Sequence, residues 1–177
     1  YGGVNGGDPN RKYNADWGLL NGEEYSMRRN YYHKPVMSLN WDWNISSASK
    51  LNTVVYASFG RGGGTGDTGS VGGKNFSNAA WRLPDGTANF DAIYAANAAS
   101  TPTAGVLVRR ASINSHNWFG IISSFNQKIN DNLKLTAGID GRYYYGYHYQ
   151  VVSDFLGATG FRDTTNENAI STSNPTG

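Results

Sequence analysis

The chain has 177 residues, a formal net charge of +2 and no cysteine. That charge offers no basic excess for nucleic acid and no acidic tail, and the missing thiols exclude a disulfide framework, thiolate metal sites and a cysteine nucleophile. No stretch approaches the roughly 20 apolar residues of a spanning helix, but the 38% apolar content still suits a transmembrane barrel, whose strands need only alternate apolar residues.

Residues 1–30 are rich in Gly, Asn, Asp and charge, carry isolated aromatics at Tyr13, Trp17 and Tyr25, and read as a loop. The opening YGGVNGGDPN has neither the basic region nor the apolar run of a targeting segment. From 32 to 45 the sequence alternates, with Met37, Leu39, Trp41, Trp43 and Ile45 on one face and Ser38, Asn40, Asp42 and Asn44 on the other. This is a first strand, with Pro35 near its start where a missing N–H is tolerated. A polar turn at 46–50 leads to a second strand over 51–60, where Leu51, Thr53, Val55, Ala57 and Phe59 share a face and Val54 and Tyr56 blur the contrast. Residues 61–104 open RGGGTGDTGSVGGK, too glycine-rich for a helix or a packed strand, and predict a long loop. Within it, 90–99 (FDAIYAANAA) predicts a short helix.

A third strand starts at 106 or 112 and runs to 129, with Phe119, Ile121, Phe125 and Ile129 on a face shared with Ser123 and Gln127. Asn130-Asp131-Asn132 is a tight turn whose residues tolerate left-handed backbone angles. The fourth strand, 133–152, has the longest alternation in the chain. Its odd positions run from Leu133, Leu135, Ala137 and Ile139 to Tyr143, Tyr145, Tyr147 and Tyr149, and its even positions include Lys134, Asp140, Arg142, Tyr144 and His148. After it, 153–177 loses its period and reads as another loop.

At about 3.4 Å per residue the fourth strand is roughly 60 Å long, against ~17–20 Å in ordinary sheets. Connections alternate short, long, short, long, so an antiparallel meander places every short turn at one end. Transmembrane barrels have this asymmetry. The expected fold is therefore all-β, part of an antiparallel transmembrane β-barrel with about four long strands, short periplasmic turns and long extracellular loops. A tilt of about 40° leaves on the order of 45 Å of height, beyond the ~25 Å apolar band. The fourth strand is thus expected to cross lipid with its lower half and project outward with its tyrosines, and Trp41 and Trp43 belong to an inner aromatic girdle.

The stretches NGEEYSMRRNYYHKPVMSLNWDWNIS, LNTVVYASFGRGGGTG and NSHNWFGIISSFNQKINDNLKLTAGIDGRYYYGYHYQVVSDFLGA resemble the barrel region of TonB-dependent outer-membrane receptors, nearest to the SusC-like importers of gut bacteria. The resemblance covers most of 21–163. It implies a barrel of about twenty-two strands closed by a plug, a Gram-negative outer-membrane location, contact with outer-membrane lipid, and import of a bulky nutrient such as an oligosaccharide, peptide or siderophore. It also implies a TonB complex engaged through parts not in this sequence and a SusD-like surface lipoprotein as partner. The sequence shows neither plug nor TonB-contacting segment, and the smallest barrels need about eight strands, so a piece of a larger protein is expected.

Other motifs carry less. Gly64-Thr65-Gly66-Asp67-Thr68-Gly69 fits a dinucleotide pattern but is followed by SVGGKNFSN, which offers no helix N-terminus for a pyrophosphate. Gly72-Gly73-Lys74 meets Asn75 where a phosphate loop needs Ser or Thr, and a calcium repeat fails at Thr68. His33, His116 and His148 lack partners at metal-ligand spacing, and no nucleophile context accompanies the serines. No enzyme activity and no cofactor is expected. The sequons at Asn44 and Asn75 have no consequence in a bacterial barrel.

Candidate ligand contacts are Trp81, Phe90, Tyr94 and Trp118 for stacking, Arg82 and His116 beside them, and Arg109 and Arg110 (with Arg28 and Arg29) for an anion. Lys134, Asp140, Arg142, Tyr144 and His148 are candidate lumen-wall residues. Two other readings are a barrel assembled from several copies of a four-strand chain and a soluble β-sandwich carbohydrate-binding module with Trp81 or Trp118 as its platform.

Overall fold

The computed structural model describes residues 13–163. In chain order its elements are β1 (Trp17–Leu20), β2 (Glu23–Ser26), β3 (Asn30–His33), β4 (Val36–Asn44), β5 (Ser49–Gly69), a 3-10 turn (Ala79–Trp81), β6 (Ala88–Asn89), α1 (Phe90–Ala98), β7 (Leu107–Asn130) and β8 (Leu133–Asp154). The chain is mostly β, paired largely antiparallel. None of its described helices is long and apolar enough to cross a membrane. Among the described residues two compact units emerge: a sheet unit from 31–63 and 113–149, and a mixed unit from 13–30, 64–112 and 150–163.

The sheet is an open meander in which β5 pairs with β3 and β4, β7 with β5, and β8 with β7. The expected first strand is in two pieces, divided at Lys34-Pro35. Register between β4 and β5 sets Met37 opposite Ala57, Leu39 opposite Val55, Trp41 opposite Thr53 and Trp43 opposite Leu51. Phe59 meets Phe119 at 5.4 Å between ring centroids, and Phe119 meets Tyr143 at 6.4 Å. Odd-numbered residues therefore share one face across all four strands, as period two requires. That face is open: Leu39 is 71% exposed, Ile139 67% and Met37 60%.

The short turns have local causes. Ser46 and Ser49 exchange backbone hydrogen bonds in the first, and Asn130 Oδ1 accepts from the Asn132 N–H in the second. The Lys128 N–H donates to the Ala48 carbonyl, so both turns lie at one end of the sheet unit.

Two expectations are corrected. The stretch read as a loop over 1–30 holds the β1–β2 hairpin, whose two-residue turn is Asn21-Gly22 with φ of 52° and 83°. Asn-Gly is the strongest short hairpin signal, because both residues accept positive φ; only 13–30 of that stretch lies within the described residues. The glycine-rich run after Gly60 is not a loop either, since β5 continues through it to Gly69. It pairs there because glycine makes room: a Cβ on Gly60 would overlap the His116 ring, and one on Gly62 the Tyr32 ring. The expected helix is α1, begun by Asn89, whose side chain accepts from the Ala92 N–H. Of the loop expected over 153–177, β8 takes the first two residues and 164–177 lie outside the described residues.

The mixed unit has a true core. Met27, Val71, Phe76, Trp81, Phe90, Ile93, Leu107 and Leu156 pack together, joining the hairpin, the long connection, α1 and the segment after β8. β6 adds a short parallel pairing to β1. Residues far apart in sequence thus converge into a small folded body instead of a free loop.

Candidate functional site

The even-numbered face of the sheet unit gathers the polar and aromatic side chains. Tyr144 stands at the centre of a cluster, with the His116 ring stacked 5.7 Å away and the Trp118 ring edge-on at 6.0 Å. Tyr56 meets Trp118 at 6.4 Å, and Lys34 Nζ lies 5.8 Å from the Trp118 ring. His148 completes the group, its Nδ1 2.9 Å from Asn114 Oδ1 and its Nε2 3.5 Å from the Tyr144 hydroxyl. Two glycines form sockets for it. Gly60 receives the His116 ring and Gly120 receives the Tyr56 ring, each where a Cβ would overlap the aromatic.

Four polar side-chain atoms buried on this face have no hydrogen-bond partner among the described residues: Asn52 Oδ1, Ser58 Oγ, His116 Nε2 and Trp118 Nε1. All four belong to even-numbered residues. Buried polar atoms are rarely left unpaired, so this face is built for polar company. Below the cluster, Arg142 Nε donates to Asp140 Oδ1 at 3.0 Å, an exposed pair of small energetic weight. Lys134 lies on the same face near the short turns.

The odd-numbered face treats its few polar groups differently. Thr53 and Ser123 hydroxyls bond each other at 2.9 Å, the Ser49 hydroxyl bonds Gln127 Oε1, and Arg61 Nη2 donates to Asn117 Oδ1 at 2.8 Å. Each finds a partner across the β5–β7 seam.

Of the residues singled out from the sequence, His116, Trp118, Tyr144 and His148 come together, with Asp140, Arg142 and Lys134 on the same face. The others belong to the mixed unit. Trp81 and Phe90 are not open stacking platforms: Trp81 is 7% exposed and Phe90 fully buried, both in the core. Arg82 is a clamp, with its guanidinium 4.6 Å from the Phe76 ring, donating to the Phe76 and Ala15 carbonyls. Arg109 is similarly engaged. It stacks 4.6 Å over Tyr25, donates to the Ser26 carbonyl at 3.1 Å and approaches Asp154 at 3.9 Å. Arg110 donates to the Ser112 hydroxyl. Tyr94 keeps an exposed ring.

Tyr25 donates to Asp154 Oδ2 at 2.9 Å. Burial pushes its phenol pKa well above the usual tyrosine value, Asp154 adds to the rise, and Arg109 opposes it. Asp85, in the long connection, is held below the usual carboxylate range by hydrogen bonds from Thr87.

Lys34, Tyr56 and Asn114 were not among the sequence candidates. Tyr56 left a readable trace, a bulky aromatic on the polar side of its strand with Gly120 available opposite. Among the described residues no three of His, Cys, Asp and Glu gather as a metal would require. Comparison with protein-family models and with curated proteins finds no match for this chain.

Proposed function

We propose that the chain forms part of the wall of an outer-membrane β-barrel importer resembling the TonB-dependent receptors, with the odd-numbered face toward lipid and the even-numbered face toward a polar lumen. The carrying observation is the division of chemistry between the two faces. An apolar patch on a soluble monomer rarely exceeds a few hundred Å², yet here a whole sheet face, from Met37 to Tyr143 across four strands, stands exposed with its polar groups paired among themselves. A soluble sandwich would cover such a face with a second sheet. Strands of 21, 24 and 22 residues outrun the ~9–11 that a bilayer crossing needs, which agrees with strands that continue beyond the membrane.

On this reading the Tyr56–His116–Trp118–Tyr144–His148 cluster is a wall site that offers aromatic faces and imidazole and indole nitrogens to a passing polar solute. The long connections that follow β5 and β8 are assigned to the extracellular side, where a bulky nutrient or a surface lipoprotein would be met. Both outer edges of the sheet are long, so the barrel requires further strands from the same protein or from other copies.

These 177 residues hold no cysteine, so a thiol introduced among them can be read against a parent protein in which any cysteine elsewhere has been replaced. Single variants Leu135→Cys, Ile139→Cys and Lys134→Cys are made in the full-length protein and exposed in isolated membranes to a hydrophilic maleimide. Lys134→Cys should label, while the other two should label only after denaturation. Equal labelling of neighbours 134 and 135 in intact membranes would sink the proposal.

A further inference from the structure

The sheet unit carries nine charged residues: Lys34, Asp42, Lys50, Arg61, Lys128, Asp131, Lys134, Asp140 and Arg142. Asp131 is in a turn and seven others are even-numbered. Arg61 alone places a charge on the apolar face. Its guanidinium is held in place rather than neutralised: Nη1 donates to the Gly60 and His116 carbonyls at 2.8 and 2.9 Å, Nη2 to Asn117 Oδ1 at 2.8 Å, and Cζ lies 5.9 Å from the Tyr147 ring. Among the described residues it forms no salt bridge. Three of the five N–H groups of a guanidinium are thereby engaged.

On the same face lies a shallow apolar depression, floored at Gly141 and walled by Met37, Leu39, Val55, Ala57 and Ile121. Ala57 and Arg61 are four residues apart on β5, or ~14 Å. Phe59 sits between them, stacked edge-on with Phe119.

We propose that this face holds an anionic, phosphate-bearing lipid of the outer leaflet, for which phosphatidylglycerol is the probe, with an acyl chain along the depression and its phosphate on the two remaining N–H groups of Arg61. The inference rests on the lipid-facing reading above. An arginine facing hydrocarbon is costly at mid-depth but nearly free near the headgroups. A guanidinium fork also matches phosphate oxygens in a way an ammonium does not. The fixed orientation of Arg61 lowers the entropy lost when phosphate docks.

The test uses full-length protein in neutral detergent and measures, by native mass spectrometry, retention of phosphatidylglycerol against phosphatidylcholine with identical chains. About tenfold preference for phosphatidylglycerol is expected. Arg61→Gln should reduce that lipid to the level of phosphatidylcholine, and Arg61→Lys should keep part of the preference. Gly141→Leu should weaken both lipids. A Cβ at Gly141 comes no nearer than 3.4 Å to the Ile121 side chain, so a side chain can start there and project into the depression.

Equal retention of the two lipids by the unaltered protein, or a preference that survives Arg61→Gln, overturns the site. Should Arg61→Gln fail to fold, salt decides: a preference lost as ionic strength rises supports the site, and one that persists overturns it. Protection of Leu135→Cys without headgroup preference removes the lipid site alone, whereas labelling of Leu135→Cys in intact membranes removes both it and the barrel reading.

Discussion

At the scale of single residues, the buried amide of Asn97 ties three segments together. Its Nδ2 donates to the Leu107 and Leu156 carbonyls at 2.7 and 2.9 Å, and its Oδ1 accepts from the Leu107 N–H at 2.9 Å. Asn97→Ala strands three buried backbone groups, each at about 1–3 kcal/mol, so denaturant titration should show a loss of about 3 kcal/mol or more. Tyr25 makes a pH prediction. Its folded pKa is raised, so the folded state holds the proton more tightly; the stability this contributes is complete below the unfolded value of about 10 and fades as pH climbs above it. Thermal midpoints should fall above pH 10, and the fall should be shallower in Tyr25→Phe. Equal slopes would remove Tyr25 as the cause. Asn97 left no mark in the sequence that set it apart from any other asparagine, because its partners lie 10 and 59 positions away.

Elements were legible where their cause was local. The alternation that built β4, β7 and β8 needs only neighbours two apart, and both short turns announced themselves in Ser and Asn. The second half of β5 is hidden from the sequence because glycine content measures what a strand lacks by itself, not what its neighbours insert. Tyr32 and His116, on other strands, supply the bulk that Gly62 and Gly60 omit. The β1–β2 hairpin is masked in the sequence despite Asn21-Gly22, since its strands have only four residues each and show almost no period. For β8, the proposed lipid contact divides the strand. Ile139→Arg should lower the yield of assembled protein, at a cost of about 2–4 kcal/mol near mid-bilayer, while Tyr149→Arg should assemble normally. Equal yields on heat-modifiability gels would contradict that division.

At the scale of the whole molecule, a sequence reading recovers the sheet unit far better than the mixed unit. The sheet unit repeats one rule, apolar against polar, along every strand. The mixed unit draws its core from Met27, Trp81, Phe90, Leu107 and Leu156, positions with no common period, so nothing short of folding brings them together. For the same reason Trp81 and Phe90 read from the sequence as ligand platforms when they are core, while Tyr94 keeps an exposed ring. The aromatic cluster is partly legible in the sequence: His116, Trp118, Tyr144 and His148 stand out there, but Tyr56 and Lys34 join them only through cross-strand pairing.

The polar pairs on the apolar face have one more effect. Sliding β7 past β5 by two residues would leave every apolar side chain on its original face, so hydrophobicity alone does not fix the alignment. The same slip would separate Thr53 from Ser123 and Ser49 from Gln127, and on a face turned to lipid, as proposed, it would leave hydroxyls and an amide without partners. Those few side chains therefore act as alignment marks, telling two long and otherwise interchangeable strands where to stop.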